Sequence, residues 1–229
     1  MISVKKTITK AFLTTIPVMM GYIVLGIAFG MLLESKGFGV FYSFIMSVFI
    51  YAGSMQFVAI DLLATSASFL SGIMMTLLIN ARHIVYGLSM IQKFKKMGQL
   101  KPYMIFSLTD ETYSLLVSPI PENVDEKKYM FFISFFDQCY WILGSVLGSL
   151  IGAVIQINTT GMDFAMTALF VVIVLEQFLS CEKHFYTYFG FGMSLISLFL
   201  FGANQFIIPS LLGMIFGLLL IYKGGYKNV

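Results

Sequence analysis

Six polar side chains stand inside otherwise apolar stretches of the sequence: Gln56, Asn80, Arg82, Asp110, Glu111 and Gln177. A charge at such a place costs about 3 kcal/mol on insertion scales, so it is kept where it faces a cavity, a partner or a substrate. Arg82 is the sole arginine and lies in Asn80-Ala-Arg82-His83-Ile-Val-Tyr86, where helical spacing puts Arg82 and Tyr86 on one face. A guanidinium grips a carboxylate with two N–H groups. Two readings are open for it: recognition of a substrate carboxylate, or an ion pair with Asp110 or Glu111 that locks two helices. His83 could relay protons near neutral pH or be a hydrogen-bonded core histidine. Asp110 and Glu111, in mid-segment, could carry protons, while Thr109-Asp110 could equally be a helix cap. Asp137 and Glu176 also lie within apolar runs, with Asp61 and Asp163 near the ends of theirs.

The elements that must position these groups are membrane helices. Of the 229 residues, 59% are hydrophobic and 11% charged, against about a quarter charged in soluble domains. A helix crosses a bilayer with about 20 apolar residues, and eight candidates run over 13–33, 41–63, 69–91, 104–120, 130–155, 164–179, 185–201 and 206–222. The expected fold is all-α, a single polytopic membrane domain over 1–229 with six to eight hydrophobic segments. The N-terminal run is expected to be a retained first helix, since no small-residue cleavage site follows it. Lysines cluster at 5–10, 93–101, 127–128 and 223–227. Eight full crossings with a cytoplasmic N-terminus put 93–101 outside, against the positive-inside rule. Six crossings put all four clusters inside, provided 41–63 and 104–120 are broken or re-entrant. Ala52-Gly53-Ser54 in the first and Thr109-Asp110-Glu111 with Pro119 and Pro121 in the second permit that.

The chain also repeats itself. Tyr22, Leu25, Gly26, Gly30 and Leu32 match Tyr140, Leu143, Gly144, Gly148 and Leu150 in register, and Gln56-Phe57 matches Gln177-Phe178. The expected halves are about 11–91 and 129–202, a construction usual in secondary transporters. Gly26-x3-Gly30 and Gly144-x3-Gly148-x3-Gly152 would let helix backbones approach closely. No phosphate-binding loop, zinc-protease motif or serine nucleophile elbow occurs, which argues against an enzyme. Two separated histidines and two cysteines within apolar runs, Cys139 and Cys181, give no reason to expect a metal, a cofactor or a disulfide framework.

In order along the chain, Leu25-Gly26-Ile-Ala-Phe-Gly30, Ala52-Gly53-Ser54-Met-Gln56-Phe57, Asn80-Ala-Arg82-His83-Ile-Val-Tyr86-Gly87, Thr109-Asp110-Glu111-x-Tyr113 and Trp141-x2-Gly144-x3-Gly148 resemble the AzlC family of branched-chain amino acid permeases. Ala81 is a departure from the leucine usual before the Arg-His pair. The resemblance implies export of leucine, isoleucine or valine, and of methionine or analogues, driven by the proton motive force. It also implies a small AzlD-type membrane subunit as partner and a bacterial inner-membrane location. Gly53, Gln56, Asn80, Arg82, Tyr86 and Gln177 are then expected at the substrate, with Asp110, Glu111 and His83 coupling protons. Broken segments around Gly53 and Asp110 would expose helix termini that help Arg82 hold the carboxylate. The alternative is a scaffold subunit whose partner forms the transport path.

Overall fold

The computed structural model describes residues 4–80, 82–155, 184–202 and 206–223, with isolated positions between 164 and 179. It divides into two units, Met1–Met166 and Thr167–Val229. No strand occurs among the described residues.

The first unit is framed by two long helices, α1 (Val4–Ser35) and α8 (Glu126–Val154), the two that are apolar and long enough to cross a membrane among the described residues. They run parallel. Near their starts the Asp125 backbone N–H donates to Thr7 Oγ1 at 3.2 Å, and near their ends the Ser149 hydroxyl donates to Glu34. Glycines set their separation: a Cβ on Gly26 would lie 2.9 Å from Ser145 N, and one on Gly144 would lie 2.8 Å from the Ile23 carbonyl. Gly30 and Gly148 leave still less room, against the backbones of Ser145 and Ile27. The glycines expected to let helices approach thus do so at equivalent positions of the two matching segments.

Between these helices lie two bent pairs. α2 (Gly39–Phe49) follows a tight reversal in which Phe38 N bonds Leu33 O and Gly37 takes φ +85°, a left-handed C-terminal cap that glycine adopts without steric cost. It stops at Ile50, and α3 (Gly53–Ala64) begins after Ala52, whose backbone is extended. Tyr51 at the bend has φ +43°, an outlying conformation for an aromatic residue. α4 (Phe69–Asn80) and α5 (Arg82–Lys95) lie on either side of residue 81. A 3₁₀ turn (Gly98–Leu100) leads to α6 (Lys101–Phe106), and α7 (Asp110–Val117) starts at the Thr109 cap. α7 ends where Ser118 turns extended before Pro119, since proline disfavours helical geometry in the residue it follows. The segments 41–63 and 104–120 are therefore pairs of short helices rather than continuous ones. The tips of the two pairs meet, with the Tyr51 and Phe106 rings 6.2 Å apart.

Polarity is inverted relative to a water-soluble fold. Leu13, Met20, Val24, Leu143, Leu147 and Leu150 are exposed, while Thr15, Gln56, Thr112, Ser134, Asp137 and Ser145 are inaccessible. Such a surface suits a hydrocarbon surrounding. The core has two clusters: Phe29, Leu33, Ile60, Tyr140 and Trp141 around the first bend, and Ala11, Met90, Phe94, Met104 and Ile133 beside α5 and α6. In the second unit α9 (Phe185–Phe201) packs on α10 (Ile207–Lys223), with Met193 and Phe189 seated over Gly213 and Gly217. Cys139 is a free thiol, and Cys181 lies outside the described residues.

Candidate functional site

The site forms where the two bends meet the first turn of α5. Arg82 Nη2 lies 2.9 Å from Asp110 Oδ2 and donates to Ser54 Oγ at 2.6 Å. Three elements are joined by one guanidinium: α3 supplies Ser54, α5 supplies Arg82, and α7 supplies Asp110 in its first turn. An acidic group there is favoured by the partial positive charge of a helix N-terminus. The pair is mostly but not fully enclosed, with side-chain exposures of 26% for Arg82 and 11% for Asp110. Asp110 Oδ1 has no hydrogen-bond partner, and Tyr86 lies within electrostatic range of Asp110. Tyr86 stacks on Tyr113 with centroids 4.5 Å apart, and the His83 ring meets Tyr86 edge-on at 5.9 Å.

Glu111 takes no part in the ion pair. It accepts from Tyr22 Oη at 2.8 Å, and Tyr22 Oη lies 2.6 Å from Thr109 Oγ1. Thr109 caps α7 by accepting from Thr112 N at 3.2 Å and contacts Thr112 Oγ1 at 3.0 Å. Thr112 in turn donates to Asp137 Oδ2 at 2.8 Å. Asp137, in the middle of α8, is wholly inaccessible and its Oδ1 has no hydrogen-bond partner.

Of the residues singled out in the sequence, Arg82, Asp110, Tyr86 and His83 come together. Gly53 starts α3 under the Trp141 ring, which would sit 3.1 Å from a Cβ at that position. Gln56 is fully buried, and its Oε1 accepts from Trp141 Nε1 at 2.9 Å, so its carbonyl serves the packing of α3 on α8. Asn80 precedes the site, its backbone oxygen 3.2 Å from His83 Nδ1 and its own Oδ1 without a partner. Gln177 lies outside the described residues. The structure adds Ser54, Tyr22 and Thr112 as contacts of the site, and brings in Thr109, expected as a helix cap, and Asp137. Asp137 carried a signal, a carboxylate in an apolar run, and Thr109 carried one as a helix cap, while Ser54, Tyr22 and Thr112 carried none as site residues, because serine, threonine and tyrosine are common in such helices.

A cleft of about 330 Å³ opens between α5 and α6, with His83, the neighbour of Arg82, in its wall, Gly87, Ile91, Phe94, Ile105 and Leu108 further along, and Lys95 and Lys101 among its lining; Arg82 and Asp110 themselves do not line it. A charged pair whose neighbours His83 and Leu108 reach the wall of a largely apolar cleft can receive an amphiphilic zwitterion. No group of His, Cys, Asp and Glu among the described residues is arranged to hold a metal ion.

The AzlC protein family model matches residues 17–155, which contain every part of this site. The chain is also 43% identical over 207 residues to the branched-chain amino acid transport protein AzlC of Bacillus subtilis (strain 168), covering 90% of this chain and 82% of that one. The chain belongs to the AzlC family. Among other relatives, a membrane protein of Helicobacter pylori (strain ATCC 700392 / 26695) is 41% identical over 95% of this chain and 96% of its own length. The inner membrane protein YgaZ of Escherichia coli (strain K12) is 28% identical over 72% of this chain and 70% of its own. No solved structure matches the chain. With relatives named as transport and membrane proteins and an apolar outer surface, this AzlC-family chain is a membrane transport protein, helical throughout its described elements.

Proposed function

We propose that this AzlC-family chain is the transporting subunit of a proton-driven exporter of branched-chain amino acids in the bacterial inner membrane, working with a small AzlD-type partner. The observation that carries the reading is the Arg82–Asp110 pair, held at the junction of two bent helix pairs, with a largely apolar cleft that begins at the neighbouring His83. An amino acid zwitterion replaces such a pair charge for charge. Its carboxylate takes the Arg82 guanidinium, its ammonium takes Asp110, and its branched side chain enters the cleft. Because substrate and internal pair are alternatives, the empty site closes on itself and no bare charge is left in a dry interior. The Bacillus subtilis relative's name supports the substrate class.

The same reading places the N-terminus in the cytoplasm and gives six crossings, α2–α3 and α6–α7 being re-entrant. Three lysine clusters gather at one end of the first unit in support of it. Lys10 donates to Glu122 O at 2.8 Å beside Lys127 and Lys128, and Lys93 donates to Leu116 O at the far end of α7. The duplication of 11–91 in 129–202 belongs to this proposal too, supported by its leading helices: α1 and α8 run parallel, with Gly26 against Gly144 and Gly30 against Gly148.

Reconstitution tests the assignment. Proteoliposomes with the chain and partner are expected to exchange radiolabelled isoleucine saturably. If exchange depends on the partner and is unchanged by Arg82→Lys and Asp110→Asn, the path lies in the partner and the chain is a scaffold.

A further inference from the structure

Two interior carboxyl groups are joined by three hydroxyls. From Glu111 Oε2 the oxygens run to Tyr22 Oη at 2.8 Å, Thr109 Oγ1 at 2.6 Å, Thr112 Oγ1 at 3.0 Å and Asp137 Oδ2 at 2.8 Å. The chain of contacts draws on α1, the α7 cap, α7 and α8, so only the folded unit assembles it. Arg82 pairs with Asp110, and among the described residues no salt bridge reaches Glu111 or Asp137. The other titratable groups around Asp137 are Tyr22, Tyr51, Tyr103 and Tyr140, and around Glu111 they are Asp110, Arg82, Tyr22, Tyr51 and Tyr86.

Counting protons decides the charge state. Four oxygen–oxygen links need one proton each, and a hydroxyl supplies one. With both carboxyls ionised, Tyr22 donates to Glu111, Thr109 to Thr112 and Thr112 to Asp137. Nothing is left for the shortest link, Tyr22 to Thr109 at 2.6 Å, a separation in the hydrogen-bonded range of about 2.5–3.0 Å. One more proton completes the set. On Glu111, it lets every hydroxyl donate toward Asp137; on Asp137, it lets every hydroxyl donate toward Glu111.

We propose that Glu111 and Asp137 share a single proton through the Tyr22–Thr109–Thr112 relay, with Asp137 the inner terminus of the proton path. Transfer is balanced within the chain. The Glu111 proton passes to Tyr22 as the Tyr22 proton passes to Thr109, that of Thr109 to Thr112 and that of Thr112 to Asp137. Four O–H bonds break, four form, and each hydroxyl ends with one proton. The link to transport rests on the exporter reading above; the shared proton does not.

Infrared spectroscopy of the purified chain in bilayers at neutral pH tests the sharing directly. Wild type is expected to show a deuterium-sensitive C=O band of a buried protonated carboxyl. Glu111→Gln and Asp137→Asn, near-isosteric changes whose amides donate the missing proton, are each expected to abolish it. A wild-type protein without the band, or a band that survives either substitution, overturns the proposal. In proteoliposomes, Thr112→Val is expected to lose gradient-driven isoleucine movement while keeping isoleucine exchange, and Thr112→Ser to restore it. Gradient-driven movement at the wild-type rate in Thr112→Val contradicts the relay. Should wild type move no isoleucine at all, the substrate reading fails, and the infrared result still judges the shared proton.

Discussion

Replacing Arg82 with lysine keeps the charge and removes the fork. Arg82 Nη2 reaches both Asp110 Oδ2 at 2.9 Å and Ser54 Oγ at 2.6 Å, so the guanidinium is fixed in place before substrate arrives. A substrate carboxylate that displaces Asp110 meets two N–H groups of the planar group, whereas an ammonium is a single point of attachment. Losing one hydrogen bond to a charged group costs about 1.5–3 kcal/mol. At about 1.4 kcal/mol per factor of ten, the affinity for isoleucine should fall roughly 10- to 150-fold. The assay is the concentration dependence of isoleucine exchange in proteoliposomes holding chain and partner, with variant and wild type matched for inserted protein. The half-saturating concentration should rise by that factor while exchange at saturation changes less. A half-saturating concentration within about twofold of wild type, or about 0.4 kcal/mol, refutes the carboxylate role of Arg82.

Other substitutions test the surroundings of the site. Gly148→Ala drives a methyl into the Ile27 backbone and should cost at least about 1–3 kcal/mol, read as a lower melting temperature in detergent. Gly72→Ala, whose Cβ meets nothing within 4 Å, should melt as wild type does. Trp141→Phe strands the buried Gln56 carbonyl that now accepts at 2.9 Å and should destabilise the first unit by about 1–3 kcal/mol in the same melt. Gly87→Leu adds bulk at the cleft wall where no atom lies within 4 Å. It should leave folding intact and shift preference in competition assays from isoleucine and leucine toward alanine.

Much of this arrangement is legible in the sequence because the solvent imposes it. Apolar length announces the helices, and the interruptions at Ala52-Gly53-Ser54 and Thr109-Asp110 coincide with the bends at 50–52 and 107–109. The lone arginine points to a carboxylate partner, and both the ion-pair and the cap readings of 109–111 hold at once: Thr109 caps α7 while Asp110 takes Arg82. Adjacent positions on a helix diverge by about 100°, which follows from 3.6 residues per turn, so Asp110 and Glu111 could not both face one cation. Which one did was not readable along the chain, because it depends on where Tyr22 of α1 crosses the tip of α6–α7. Asp137 is similar: its isolation in an apolar run is visible, but its partner Thr112 is a hydroxyl 25 positions away. The role of Gln56 was equally hidden, since its bond to Trp141 spans 85 positions and exists only because α3 starts against α8.

The account turns on whether this chain exports a branched-chain amino acid at the expense of the proton gradient through the Arg82–Asp110 site. The most direct measurement is isoleucine efflux from dipeptide-fed cells lacking their own exporters, expressing the chain with an AzlD-type partner, before and after the gradient is collapsed. Efflux above background that falls on collapse, and is lost with Asp110→Asn, is the predicted result. A well-inserted complex that releases no isoleucine, valine or leucine, or an Asp110→Asn chain that exports as wild type does, contradicts the account.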